Sequence, residues 1–340
     1  MPLKPLLKRG ALLAAANWPV IAIQYVTGTT FQVLLAVPII GAAILVAVLL
    51  GTDLAELLQG TLREIFTAVT GTLMSEPVAL GAFVTAFVVV LLGGSGLMFL
   101  VKGGTVEVLV AAHRAAGAIE GDPITIDTLR AASRFTLQRF IDGCGRMFRS
   151  YLAVGLALIA VYAISGCVYL AFVIYGYRAA TDGFLILGVT FAAALSGGLL
   201  VAWITMVNVV YLLIQIAIAV DGTGTAAAVV AVARFIRAEF RELVGVFGVV
   251  LVLVVAATLA SALAWSGVGL IAFVPLVGLA VVPLQLAALV LRGLVFEYLG
   301  LTALAAYVTL YVDYRESTSH AAERAGVAAR PLREIPLQAE

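Results

Sequence analysis

Residues 107–148 read EVLVAAHRAAGAIEGDPITIDTLRAASRFTLQRFIDGCGRMF, a polar and mostly basic connector between two long apolar runs. Short connectors rich in arginine stay on the cytoplasmic side of a membrane, so this stretch fixes how its neighbours cross. Outward from it the chain is 63% hydrophobic and 11% charged over 340 residues, against roughly a quarter charged in soluble chains. A soluble core cannot hide that much apolar surface.

The apolar runs at residues 31–50, 78–101, 151–175, 184–207, 243–264 and 270–291 are each long enough to span roughly 30 Å of hydrocarbon as helix. The fourth continues to 220 and the sixth to 312, beyond what a straight crossing needs. The last region has a second reading, in which 270–283 is re-entrant and 284–308 crosses. That reading buries Arg292 or Glu297 at membrane depth, at a cost, so the first is preferred. The fold class is therefore an all-α polytopic membrane protein of six spans arranged as three pseudo-repeated hairpins with cytoplasmic amphipathic helices. Residues 1–314 form one transmembrane helical domain, and the polar, proline-containing 315–340 form a flexible cytoplasmic tail.

Between the spans, 53–76 carry Asp53, Glu56, Arg63 and Glu64 among leucines at helical spacing, a surface helix on the far side. Gly121 and Pro123 end the helix that leaves span two, and Asp127 can cap a new one from Thr128 onward. A further surface helix covers 226–242, with Arg234, Arg237 and Arg241 on one face. Gly103 and Gly104 are placed to bend the second span where it leaves the membrane. At the amino terminus Lys4, Lys8 and Arg9 precede an alanine-rich run, but Asn17, Trp18 and Pro19 interrupt it before the core of a cleavable signal forms. Residues 17–30 then lead into the first span.

The hairpins echo one another. FLVKGGTVE at 99–107 and VLRGLVFE at 290–297 both place a base, a glycine, and a glutamate five positions after the base. LRAASRFTLQRF at 129–140 and VAVARFIRAEF at 230–240 follow the first and second hairpins alike. Partners five residues apart lie about 140° apart around a helix, so pairing across helices is favoured, Lys102 with Glu297 and Arg292 with Glu107. Such pairs would fix helix packing or line a polar path, with Asn208 as a further polar candidate. Interfacial snorkelling is the structural alternative. The arginines Arg130, Arg134, Arg139, Arg234, Arg237 and Arg241 are candidates for contact with anionic headgroups or a protein partner.

Chemistry is sparse. His113 and His320 lack companions at metal-ligand spacing, and no phosphate-binding glycine loop or serine elbow occurs. GCG at 143–145 is too short to cradle phosphate. The sequence thus suggests no catalytic residue, cofactor or metal, and the dilution of the second basic patch by Glu239 and Glu242, with no reading motif, argues against nucleic acid. Cys144 and Cys167 fall in different surroundings, which argues against a disulfide between them.

The basic linkers LRAASRF at 129–135 and AVARFIRAEF at 231–240, with extended returning helices, resemble a broad group of bacterial six-span proteins. That group includes the membrane region fused to glycerophosphodiester phosphodiesterases. The phosphodiesterase catalytic part has no counterpart here, so the likeness implies no hydrolase. The expectation is a noncatalytic accessory or scaffolding subunit in a bacterial inner membrane, both termini cytoplasmic, in contact with anionic lipid and with a membrane partner or its own copies. The alternative is a carrier or channel for a lipid or small amphiphile.

Overall fold

The computed structural model describes residues 2–50, 71, 75–121, 123–180, 183–272 and 277–328. Most of the surface helix expected over 53–76 lies outside them. Among the described residues the chain is helical, as α1 (Leu3–Ala16), α2 (Trp18–Leu50), α3 (Pro77–Ala115), α4 (Ile126–Ala132), α5 (Leu137–Ala179), α6 (Gly183–Asp221), α7 (Thr225–Ala238), α8 (Phe240–Ala272) and α9 (Val277–Ala328). Six of these stretches are long and apolar enough to cross a membrane: Trp18–Leu45, Pro77–Ala115, Ile126–Ala179, Gly183–Asp221, Phe240–Ser266 and Pro283–His320. The protein is an all-α polytopic membrane protein whose long helices come as three hairpins, each introduced by a short helix.

Two compact units divide the chain, residues 22–102 in one and the remainder in the other. In the smaller unit, Gly94 takes the ring of Phe31 so closely that an added Cβ would collide with it. Its neighbours Gly93 and Gly96 meet nothing within 4 Å, so close approach uses one glycine of the three.

In the larger unit the helices are buried at one end and exposed along their apolar lengths. Leu6 and Leu13 of α1, Val108 and Leu109 of α3, Tyr151 of α5, Leu213 and Ile216 of α6, Phe235 of α7, and Leu304 and Tyr311 of α9 make a core there. Polar and charged residues cluster around this core, which we call the polar end. The exposed lengths carry side chains such as Phe191, Leu199, Val252, Leu263 and Leu284. Exposure on that scale is untenable in water and suits hydrocarbon.

Breaks between helices follow local chemistry. Gly117 (φ +59°) and Gly222 (φ +64°) occupy left-handed conformations after α3 and α6, where a side chain would be strained. Thr125, not Asp127, caps α4, accepting the Thr128 N–H in a reciprocal capping box. Thr136 then caps α5 through the Arg139 N–H. The basic surface helix expected from Thr128 onward is therefore only one short piece, Ile126–Ala132, and Arg139, Arg146 and Arg149 ride on the spanning helix α5 itself. A break at Glu239 likewise separates Arg241, on α8, from Arg234 and Arg237 on α7.

Three further boundaries differ from expectation. Helix α1 forms over the basic, alanine-rich start, for which no helix was expected, because its apolar positions fit against α9, and the lead-in read over 17–30 falls from Trp18 onward within α2. Residues 270–291 are not one span: α8 runs to Ala272 and α9 begins at Val277, since glycines are tolerated inside membrane helices and Gly267 does not stop α8. Helix α9 then continues to Ala328, into residues read as flexible tail; Ala321, Ala322, Glu323 and Arg324 are favourable helix formers.

The junction of α1 and α2 is held by Asn17, which is fully buried. Its amide donates to Leu13 O at 2.9 Å and Ala132 O at 3.1 Å. Its Oδ1 accepts the N–H groups of Arg134 at 2.9 Å and Phe135 at 3.0 Å. Both donors and both acceptor positions of the side chain are thus used, tying the first helix break to the second.

Helix α3 runs unbroken through Gly103 and Gly104. They let α5 come close: a Cβ at Gly104 would lie 2.6 Å from Phe140 O, and one at Gly143 would lie 2.6 Å from the Glu107 Cβ. Gly143→Ala should therefore destabilise the fold by about 1–3 kcal/mol through overpacking, read as a lower midpoint of thermal unfolding in detergent. Gly145→Ala, in the same helix and with nothing within 4 Å of its Cβ position, should hold the midpoint or raise it slightly. Asn17→Ala orphans buried groups on two linkers and should cost on the order of 2 kcal/mol or more in the same measurement.

Candidate functional site

The most elaborate polar arrangement at the polar end is built around Arg9, which is 8% exposed. It projects from α1 toward the last turn of α3, where carbonyls lack helical partners. Nη2 donates to His113 O at 3.1 Å and Nη1 to Gly117 O at 2.6 Å, so the guanidinium caps the end of α3. Nη1 also pairs with Glu120 Oε2 at 2.8 Å, and Nε donates to His113 Nδ1 at 3.3 Å. Lys8 adds a bond from Nζ to Glu120 O at 2.7 Å.

Helix α9 closes the other side. Thr309 Oγ1 lies 3.2 Å from His113 Nδ1, and Asp313 Oδ1 lies 3.9 Å from His113 Nε2. The nitrogen that receives the Arg9 Nε–H carries no proton, so the imidazole is held neutral beside the guanidinium. An open cleft of about 390 Å³ lies against this cluster, lined by Arg9, His113, Arg114, Glu120, Asp313 and Glu316. Both bases and acids line it, and Arg9 and Glu120 among them are joined to one another. Among the described residues no group of three or more His, Cys, Asp or Glu side chains could hold a metal ion. The arrangement clamps α1 between α3 and α9.

Glu107 pairs with Arg146 of α5, not with Arg292. Pseudo-symmetry pointed to a distant helix, whereas the glycine contact between α3 and α5 brings Arg146 beside it first. Arg292 is exposed and lies over the Phe296 ring, 5.7 Å from its centroid, within its own helix. Lys102 and Glu297 are both half-buried, on α3 and α9.

Asn208 accepts a hydrogen bond from Tyr162 across the α5–α6 pair. It is one rung of a ladder along that hairpin: Tyr151 to Gln215 O at 2.7 Å, Trp203 to Ser165 at 3.1 Å, Tyr169 to Ala193 O at 3.2 Å, and Tyr177 with Thr190 at 2.8 Å. Interhelical bonds of this kind contribute roughly 0.6–2 kcal/mol each in a membrane. At the far end of α6, Asp221 accepts from Tyr311 at 2.7 Å and Arg315 at 2.8 Å, while Phe235 packs edge-on against Tyr311.

Arg130, Arg134, Arg234, Arg237 and Arg241 are exposed, and Arg139 is half-buried with Nη1 on Arg134 O at 2.5 Å. Sequence reasoning missed Arg9, Asn17 and Glu120; only the interruption of an alanine-rich run at Asn17 marked the region. Compared with known proteins, the chain matches no family model, no curated protein and no solved structure.

Arg9→Gln should cost about 1–3 kcal/mol, because the carbonyls of His113 and Gly117 lose the donor that caps α3 and the part-buried Glu120 loses its cation. Limited proteolysis is expected to show faster cleavage between α3 and α4 in this variant, with Arg114→Gln as an unaffected control.

Proposed function

We propose that the chain is a noncatalytic integral membrane protein of a bacterial inner membrane, serving as an accessory or scaffolding subunit of a complex or of its own homo-oligomer. The observation that carries this is where the polar side chains are used. Glu107 and Asn208, two of the candidates for a substrate path, and Asp221 and Arg9 besides, each bond to another helix or linker of the same chain. Polar groups committed to helix contact serve rigidity, and a rigid bundle with apolar outer faces suits lateral association. Exposed Phe184, Phe191 and Leu195, which share one face of α6, offer such a surface.

Arginine at the polar end supports a cytoplasmic placement for it, and both termini with it. The likeness to the six-span region of phosphodiesterase fusions fits the same plan without the hydrolase.

Crosslinking in native membranes, followed by mass measurement of the purified protein in nanodiscs, tests the proposal. A discrete oligomer or a reproducible membrane partner is expected. A monomer that crosslinks to nothing overturns it, and solute flux through reconstituted vesicles would replace it with a carrier or channel.

A further inference from the structure

Helix α9 carries an exposed cation within its apolar length. Arg292 is exposed, and Leu284, Leu286, Leu289, Leu291 and Val295 around it are each between 41% and 63% exposed. Leu289 and Val295, three positions before and after it, border it on either side of the helix. Among the described residues Arg292 joins no ion pair. Its guanidinium lies over the Phe296 ring, 5.7 Å from the centroid, and Phe296 stands one turn nearer the polar end.

The depth of this cation follows from helix geometry. Counted from Val277, where α9 begins, Arg292 lies ~22 Å along the helix, and Leu301, where side chains become buried in the core, lies ~36 Å along it. A hydrocarbon layer of roughly 30 Å that starts at the turn between α8 and α9 ends between the two, with Arg292 roughly 8 Å beneath its polar-end edge. A charge at that depth is costly unless it reaches water or an anion. Arginine does so by extending its stem along apolar surface, and the contact with Phe296 takes the guanidinium toward the nearer edge.

We infer that Arg292 binds the phosphodiester of a phospholipid in the leaflet on the side of the polar end, with Phe296 holding the guanidinium toward it. The planar fork of arginine matches two phosphate oxygens at once. Lipid is favoured over a protein carboxylate because phosphates already line that edge of the hydrocarbon, whereas an acid on a neighbouring helix would have to be buried at the same depth. The cost foreseen from the sequence for Arg292 at membrane depth is thus met by the bilayer itself. The inference requires only that α9 cross the membrane, and it stands independently of the scaffolding proposal.

The test uses the full chain with a benzophenone photocrosslinking residue in place of Val295, in nanodiscs holding phosphatidylcholine and a phosphate-free galactosyl diacylglycerol at equal mole fraction. Lipid adducts on the α9 peptide, weighed by mass spectrometry, should favour phosphatidylcholine several-fold. Arg292→Gln should bring the two lipids to parity, and Arg292→Lys should keep part of the preference. Both variants should unfold at the parent midpoint, because the side chain is exposed and unpaired among the described residues. Inorganic phosphate in the buffer should leave the preference intact, and competition by it overturns a lipid as the source of the phosphate. Parity between the lipids with Arg292 present overturns phosphate as the ligand. Adducts to protein and to neither lipid overturn the lipid site and assign this face of α9 to a protein contact.

Discussion

The polar end depends on one buried amide. Asn17 interrupts the chain after α1 and, in the same stroke, bonds to both sides of the neighbouring break between α4 and α5. Where a chain turns out of a helix, its carbonyls and N–H groups lose partners, and inside a protein each such orphan is costly. Two breaks placed back to back share one side chain that has two donors and two acceptor positions. Neither α1 nor α4 is long enough to be stable by itself, so both rely on this joint for their place in the core.

Around that joint, the architecture repeats a single device three times: a short helix, a break, then a long hairpin. α1 precedes α2 and α3, α4 precedes α5 and α6, and α7 precedes α8 and α9. The short helices close the core at one end of the long ones, while the long helices present apolar surface along the rest of their length. Charges serve this plan at helix termini. Arg9 caps α3, Asp221 collects Tyr311 and Arg315 at the end of α6, and Glu107 meets Arg146 where glycines bring α3 and α5 together.

The helical class and the six crossings were legible because an uninterrupted apolar run of about twenty residues matches the thickness of a bilayer and little else. The continuation of the fourth run to about 220 could be read from the same pattern, and α6 ends at Asp221. Helix α1 could not, since its alanine-rich face is unremarkable until Gly10 meets the backbone at Thr302 and Ala306, which lie far along the chain. Glycine weakens a helix in isolation, and the use of Gly103 and Gly104 as a contact surface appears only once Phe140 and Gly143 are beside them. The partner of Glu107 was missed for a related reason. Symmetry between hairpins suggested Arg292, while the pairing is decided by which helix comes closest. Arg9 and Glu120 were individually unremarkable charges, and nothing in their local sequence announces that they meet.

The grip of α1 on α9 carries a consequence for biogenesis. Ala11 O accepts the Tyr298 hydroxyl at 3.3 Å, across 287 positions of chain. A ribosome therefore releases α1 long before its main binding site exists, and the three hairpins must be inserted while that helix waits with Leu6 and Leu13 uncovered. The α1–α9 seam of the core can close only once α9 has been made. A nascent chain stalled short of α9 would keep an open seam for quality-control proteases to recognise.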